Sequence, residues 1–527
     1  FYDGNDYSNI LVKAREGRPI WVKGNKDFGL TRGGITPRIG ASVLNLYNSD
    51  RLRGPVKSGE AAEWSVIDAE VKEKLRDIAA KGGKIRLMSN TVISPSTQLI
   101  ISEFLNSLAP VQQSARLDSV TGQPMFDSVT GEQLFDEVEM GDADVKYVEY
   151  DAVSYSAMRK ANEESFGYPS LPTYNFSLAR AVVSIDADFM ANWLMHTKYN
   201  VDFAETRKPE LREGEDEIWM SKHFHFESVM SLTGANADSR CPIKPSEQGA
   251  VAAAILKYVT GKDLGVSVSA EIDAYAAKAA DKLKEHKGQS IVVAGANDKG
   301  VQLIVNEINH ALNNYGKGKT IDLGNEIYLK NADDNKVEEL VSDVIGGEVD
   351  ALLIFGTNPV YSLPNGAEFG EAMAYIGLTI SFSEFADETA SKCTYICPDH
   401  NYLESWQDLY PSLGKYAIQQ PVIRPLFDTR QAQETLLVWA GKAERADKES
   451  KTYYNYIKEH SKKWFFSACP EYTVFDDFWN WTVHNGSVVL NSSSSTPEFK
   501  NPSLPAASSL NSSDAAWEVI AYQKSGI

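Results

Sequence analysis

The sequence predicts an α/β protein. Two observations carry that expectation. From about Ala179 onward, apolar runs of four to six residues alternate with amphipathic stretches of ten to sixteen, as in βαβ units built around parallel sheets. Two of these runs, ending at Ala294 and Phe355, stop abruptly at Gly295 and Gly356, as strands do at the carboxyl edge of such a sheet. The length of 527 residues predicts three or four packed units.

Taken in order, residues 9–15 and 20–23 flank Glu16-Gly17-Arg18-Pro19, which predicts a strand, a turn and a strand. Glycines at 29, 33 and 34 lead to an apolar helix over 40–47. Apolar positions recur at helical spacing over 68–81, Gly82-Gly83 stops that helix, and 84–88 is a strand. A helix over 96–108 follows a Ser-Pro turn. Residues 118–126 and 127–135 form a direct repeat opening Asp-Ser-Val-Thr-Gly; two copies cannot stack as a solenoid, so a surface hairpin or arch is expected. The acidic run 136–151 reads as a solvated insertion.

The alternating part comprises strands over 181–185, 291–294, 350–355 and 378–383 and helices over 249–260, 270–286, 301–315, 337–345 and 367–375. A helix over 429–441, a Lys/Glu-rich linker and an aromatic segment over 464–481 follow. Residues 491–513, dominated by Ser, Asn and Pro, are expected to lie on a surface without building a core.

Charge narrows the function classes. Lys and Arg total 52 against 72 Asp and Glu, a net charge of −20 that disfavours nucleic-acid binding. No apolar run approaches the ~20 residues a membrane-spanning helix needs. Cys241, Cys393, Cys397 and Cys469 are too few for a disulfide framework or a set of iron–sulfur clusters. The chain opens on Phe1 and ends without an obvious stop, so a processed or partial polypeptide is expected.

The local motifs assign no active site by spacing alone. Leu353-Ile-Phe-Gly-Thr-Asn-Pro359 and Val292-Val-Ala-Gly-Ala-Asn-Asp298 place backbone amides and an Asn at a strand's end, which suits a nucleotide or a tight structural turn. Neither is Gly-x-Gly-x-x-Gly, and there is no Walker A sequence. His223 and His225 share a strand face, either as half of a metal site or as hydrogen-bonded structural residues. Cys393 and Cys397 are separated by three residues without a second pair and read as small buried side chains.

Several stretches in order resemble the molybdopterin oxidoreductases, the dimethyl sulfoxide reductase and formate dehydrogenase relatives. Residues 16–25, 40–47 and 50–55 are similar to the family's N-terminal region. Phe355-Gly-Thr-Asn-Pro359, Asp387-Glu-Thr-Ala390 and the runs 397–406 and 420–430 match later landmarks, so the resemblance covers roughly 9–441. Residues 172–176 through 188–193, and 223–238 ending at Pro245-Ser246, are similar to a divergent branch, the iron–sulfur subunit of bacterial alternative complex III. The implied fold is a multidomain α/β arrangement with two doubly wound, mostly parallel sheets. The implied division is a β-rich 1–60, a discontinuous α/β domain over 61–240 and 380–470, a second over 241–379, and an aromatic and Ser/Pro-rich 471–527.

Four departures separate the chain from the catalytic relatives. No cysteine precedes Cys241, and Thr36 or a neighbour stands where a cluster thiolate belongs. The region that supplies a molybdenum ligand, 147–166, has no Cys, leaving Ser154 and Ser156. Asp186-Ala-Asp188 replaces a Gly-Ser-Asn-type loop, and each carboxylate would repel a pyrophosphate by ~1 kcal/mol or more. Pro245-Ser-Glu-Gln-Gly249 replaces Pro-Gly-Thr-Asp.

The resemblance and its departures imply a cofactor-free scaffold with no catalytic or metal residues of its own, in a quinol-oxidising respiratory complex. They also imply iron–sulfur clusters in a ferredoxin-like part of the same subunit, cytochrome c-type and integral membrane partners, and the periplasmic face of an inner membrane. The alternative is an active molybdenum or tungsten bis-pterin oxidoreductase of polysulfide or formate type. It would hold the pterin through Gly356, Thr357, Asn358 and Asp387, with Ser154 or Ser156 on the metal. An unrelated sugar or nucleotide enzyme explains none of the ordered motifs.

Overall fold

The computed structural model describes residues 1–108, 111–115, 135–139, 144–211, 214, 216–443, 451–492, 496–510, 513, 515 and 517–523, with 111–115 and 135–139 described as backbone only. The repeat over 118–135 falls outside them apart from its last residue, Phe135.

Three sheets organise the chain. The largest has seven strands in the order Glu60–Ala61, Val56–Lys57, Tyr395–Ile396, Leu378–Ser381, Ala351–Phe355, Lys84–Ser89 and Asp144–Glu149, parallel from Tyr395–Ile396 onward. The second is all parallel, in the order Ser239–Pro242, Lys222–Glu227, Ala181–Ile185, Ser290–Ala294. Both are covered by helices, which is why Ala181–Ile185, and even Ser290–Ala294 at the end of the second sheet, are buried throughout and read as mainly apolar runs.

The third sheet is antiparallel, in the order Ser487–Val489, Lys415–Gln419, Gln407–Ser412, Ile321–Ile327, Leu171–Tyr174. It stands beside the two parallel-rich sheets that were expected. Its hairpin turns at Leu413-Gly414, with Gly414 at φ 72°. From this sheet the buried Asp408 accepts the Ser94 hydroxyl at 2.5 Å and the Ser96 N–H and hydroxyl at 3.3 and 2.7 Å. It thereby caps helix Pro95–Leu108 of the first sheet's layer.

Strand membership departs from the expected division. Ala181–Ile185 and Lys222–Glu227 belong with Ser290–Ala294, while Ala351–Phe355 and Leu378–Ser381 belong with Lys84–Ser89. The second sheet is therefore inserted between the strands of the first, and the exchange occurs near 150 and 350, where no composition shift marks it.

The helices carry ordinary end chemistry. Ser269 accepts Ile272 N–H at the start of Ala270–Glu285, with Glu271 and Asp273 in the first turn and Lys282 and Lys284 in the last. Gly261 closes Gln248–Thr260 in the left-handed conformation. Two further helices, Thr452–Trp464 and Phe475–Asn485, stand where a linker and an aromatic segment were expected. Phe478 and Trp479 enter the chain's own core, while Trp464 and Trp481 stay exposed.

The segment over 496–510 crosses the second sheet's helices: Phe499 stacks on His310 with centroids 4.1 Å apart, and Lys500 N–H bonds Ser165 O at 2.8 Å. Leu510 is 3% exposed and joins the core, contrary to the expectation for this Ser/Pro-rich stretch. Its few leucines, not its average composition, decide where it binds. Among the described residues, no helix is long and apolar enough to cross a membrane.

Candidate functional site

Each parallel sheet reverses its strand order once, and at that switch point the strand ends diverge and leave a crevice. In the first sheet it lies between Ser89 and Phe355, in the second between Ile185 and Ala294.

The first crevice is a cavity of about 360 Å³ with Asn90 and Gly356 at its base. Gly356 has φ 64°, and a Cβ there would meet Asn90 Oδ1 at 2.6 Å; one on Gly4 would meet Asn90 Nδ2 at 2.4 Å. The Asn90 side chain is thus wedged between the switch-point glycine and the N-terminal segment. That segment is fixed by the Tyr2 hydroxyl, which donates to Thr91 O and Leu329 O at 3.0 and 2.9 Å, and by Lys330 Nζ, which donates to Gly4 O at 2.6 Å. Asp151 completes the seal: it accepts the Thr91 hydroxyl at 2.7 Å and lies 3.4 Å from Lys330 Nζ.

The far wall of this cavity is ionisable. Buried Arg51 bridges Glu404 at 2.7 Å and Glu384 at 3.2 Å. Burial, only partly offset by Arg51, pushes Glu384 up to about 7. Burial together with nearby Glu384 pushes Asp399 up to about 8, and burial lowers His400 to about 4. None of these three was singled out from the sequence; the run 397–406 gave only a family landmark.

Of the residues expected to hold a pterin, Gly356 alone lines the cavity. Asn358 spends its amide on the neighbouring loop, donating to Glu388 Oε2 at 2.7 Å and accepting the Thr389 hydroxyl at 2.6 Å. Asp387 accepts Thr389 and Ala390 N–H at 3.1 and 2.7 Å. Thr357, beside Asn358, is not among the cavity-lining residues. Ser154 accepts Ser156 N–H at 3.0 Å in a local turn, and the Ser156 hydroxyl accepts Asp334 N–H at 3.3 Å at the start of helix Asp334–Ile345. Thr36 caps helix Pro37–Ala41 and donates to Asp6 at 2.6 Å.

The second crevice is a cavity of about 480 Å³ whose wall is acidic. Asp186 accepts Ser228 N–H and hydroxyl at 3.1 and 2.8 Å and the Gln248 amide at 2.8 Å. Asp188 accepts Thr233 N–H and hydroxyl at 3.1 and 2.6 Å. Residues 520–523 line one side, and Glu518 accepts Ser246 N–H at 2.9 Å and the Ser246 hydroxyl at 2.7 Å, in the turn ahead of helix Gln248–Thr260. Donors that suit an anion are thus satisfied three times over by the chain's own carboxylates. A pyrophosphate does not fit this donor set.

Behind Asp186 runs a buried chain of polar groups. His223 Nε2 and His225 Nδ1 both meet the Ser184 hydroxyl, at 2.7 and 2.5 Å, and His225 Nε2 meets Glu227 at 2.9 Å. Burial works to raise Glu227, but hydrogen bonds from His225, Ser231 and Arg240 outweigh it and hold the carboxyl at about 2. The two histidines take the hydrogen-bonded structural role. Among the described residues, no group of three or more His, Cys, Asp and Glu side chains is placed to hold a metal. Cys393 and Cys397 are buried free thiols, as are Cys241 and Cys469.

No family model matches the chain. Among solved structures, acetylene hydratase from Pelobacter acetylenicus aligns with a TM-score of 0.58 and 14% identity over 84% of this chain and 68% of that one. The fold is molybdopterin-oxidoreductase-like. A curated relative, the menaquinone reductase, molybdopterin-binding-like subunit of Nitratidesulfovibrio vulgaris (strain Hildenborough), is 25% identical over 478 residues. That match takes in 82% of this chain, and the chain spans 63% of the relative's length. Residues 1–3 line the first crevice and residues 520–523 the second.

Proposed function

We propose that the chain is a cofactor-free scaffold subunit of a respiratory quinone-linked electron-transfer complex. The observation that carries this reading is the carboxylate set of the second crevice, where Asp186, Asp188 and Glu518 occupy the N–H and hydroxyl donors of Ser228, Thr233 and Ser246. The relative's printed role as a menaquinone reductase subunit supports the quinone link. The finer reading is the molybdopterin-oxidoreductase-like part of an iron–sulfur subunit of alternative complex III. Clusters would lie in a ferredoxin-like part beyond this chain, with cytochrome c-type and integral membrane partners on the periplasmic face of an inner membrane.

The test is elemental and pterin analysis of the purified native assembly, with molybdenum and tungsten read by mass spectrometry and oxidised pterin by fluorescence. Iron without molybdenum, tungsten or pterin is the expected result. Stoichiometric molybdenum or tungsten with pterin overturns the scaffold and favours the bis-pterin enzyme.

A further inference from the structure

The hairpin Ile10–Arg15/Arg18–Gly24 reverses the charge of the protein around it. Within a chain of net charge −20, it carries Lys13, Arg15, Arg18 and Lys23 against the single carboxylate Glu16. The strand period sorts its two faces. Val12 and Val22 turn inward with Ile39, Val43, Leu46 and Leu403. The register pairs Leu11 with Lys23 and Lys13 with Trp21 on the outer face, and Arg15 with Arg18 beside the tip. Among the described residues, none of the four cations has an ion pair or a side-chain hydrogen bond.

Apolar side chains interleave with these charges. Trp21 is 54% exposed, Ile20 48% and Leu11 41%. Tyr47, whose hydroxyl holds Pro19 O at 2.9 Å, is 49% exposed beside them. Unpaired Lys and Arg around an exposed Trp and aliphatic residues is the composition of a surface that rests on anionic lipid, where headgroups meet the cations and the rings enter the interface. The chain's overall acidity does not oppose this, because charges more than ~8 Å away are screened at physiological ionic strength.

We propose that this face docks on an anionic lipid surface. An acidic protein partner would meet the same charges, and the experiment below separates it from lipid. The inference stands on surface chemistry alone and is independent of the electron-transfer reading.

The experiment is co-sedimentation of the full chain with phosphatidylcholine vesicles containing phosphatidylglycerol, against phosphatidylcholine alone. Binding to the anionic vesicles only, weakened by salt, is expected. It should fall roughly fivefold for each charge removed in K13Q/R15Q/R18Q/K23Q. W21A should weaken it at unchanged salt dependence. If the quadruple variant fails to fold, R15Q/R18Q at the tip carries the same test. Equal binding to both vesicle types, no binding, or undiminished binding by the charge variants overturns the proposal. A quadruple variant that keeps its vesicle binding but no longer co-purifies with the native assembly overturns it in favour of an acidic protein partner.

Discussion

The carboxylate of Glu518 accepts both the backbone N–H and the hydroxyl of Ser246, one oxygen to each, across 272 residues of sequence. A tail residue thereby occupies the position ahead of helix Gln248–Thr260 that an anionic ligand would take. Asp186 and Asp188 repeat the device on Ser228 and Thr233 with shorter connections.

The tail is held at separate points. Leu510→Ala removes a side chain buried in the core and should cost about 2–4 kcal/mol, read as a lower melting temperature. Ser246→Ala should leave the melting temperature nearly unchanged while raising hydrogen exchange over 517–523. Unchanged exchange in that variant would show that the tail is fixed elsewhere.

Asp399 and Glu384 make stability fall as pH rises. Both folded values, about 8 and about 7, lie above those of the unfolded chain, so the native state holds more protons between about pH 4 and 8. Their contribution is full below pH 4 and is lost as pH rises through 7 and 8. Asp399→Asn should therefore be more stable than the parent at pH 8 by on the order of 5 kcal/mol, with no such gain at pH 4. Urea melts at the two pH values measure the difference.

Glu227 works in the opposite sense. Its folded value near 2 lies below the ordinary carboxyl, so its contribution is present above about pH 4.5 and is lost as pH falls toward 2. Glu227→Gln leaves Arg240 and His225 without their anion and should cost about 3 kcal/mol at pH 7. The parent and variant should converge in acid-unfolding curves.

Two glycines separate close packing from free backbone. A Cβ on Gly295 would lie 2.1 Å from Asp186 O, so Gly295→Ala should destabilise by about 1–3 kcal/mol. Gly40 has nothing within 4 Å of its Cβ position and no left-handed φ, so Gly40→Ala should be neutral or stabilise by up to about 1 kcal/mol. Chemical denaturation of the pair gives the contrast directly.

The parallel sheets were legible because their strands are apolar on both faces: residues 181–185 and 291–294 can be read without knowing their neighbours. The antiparallel sheet was not, since Asp408 is buried and polar while serving a helix cap that only the folded chain supplies. Helix Thr452–Trp464 reads as a charged linker because its buried positions, Tyr453, Ile457 and Ser461, are outnumbered by Lys, Glu and His. At the site, Asp186 and Asp188 stood out as misplaced charges in a recognisable loop. Glu518 could not, because its partner is defined by a tail path that no local pattern encodes. Glu384 and Asp399 were unremarkable among many carboxylates until burial distinguished them.

The insertion of one sheet between the strands of another also sets an order in time. Lys84–Ser89 pairs with Ala351–Phe355, which leaves the ribosome about 270 residues later. At ~5–20 residues per second, one edge of a buried strand then waits roughly 15–50 s for its neighbour. Over that interval the nascent chain presents an open edge suited to pairing with other chains. The insertion that creates two crevices thus also makes the polypeptide dependent on protection during synthesis.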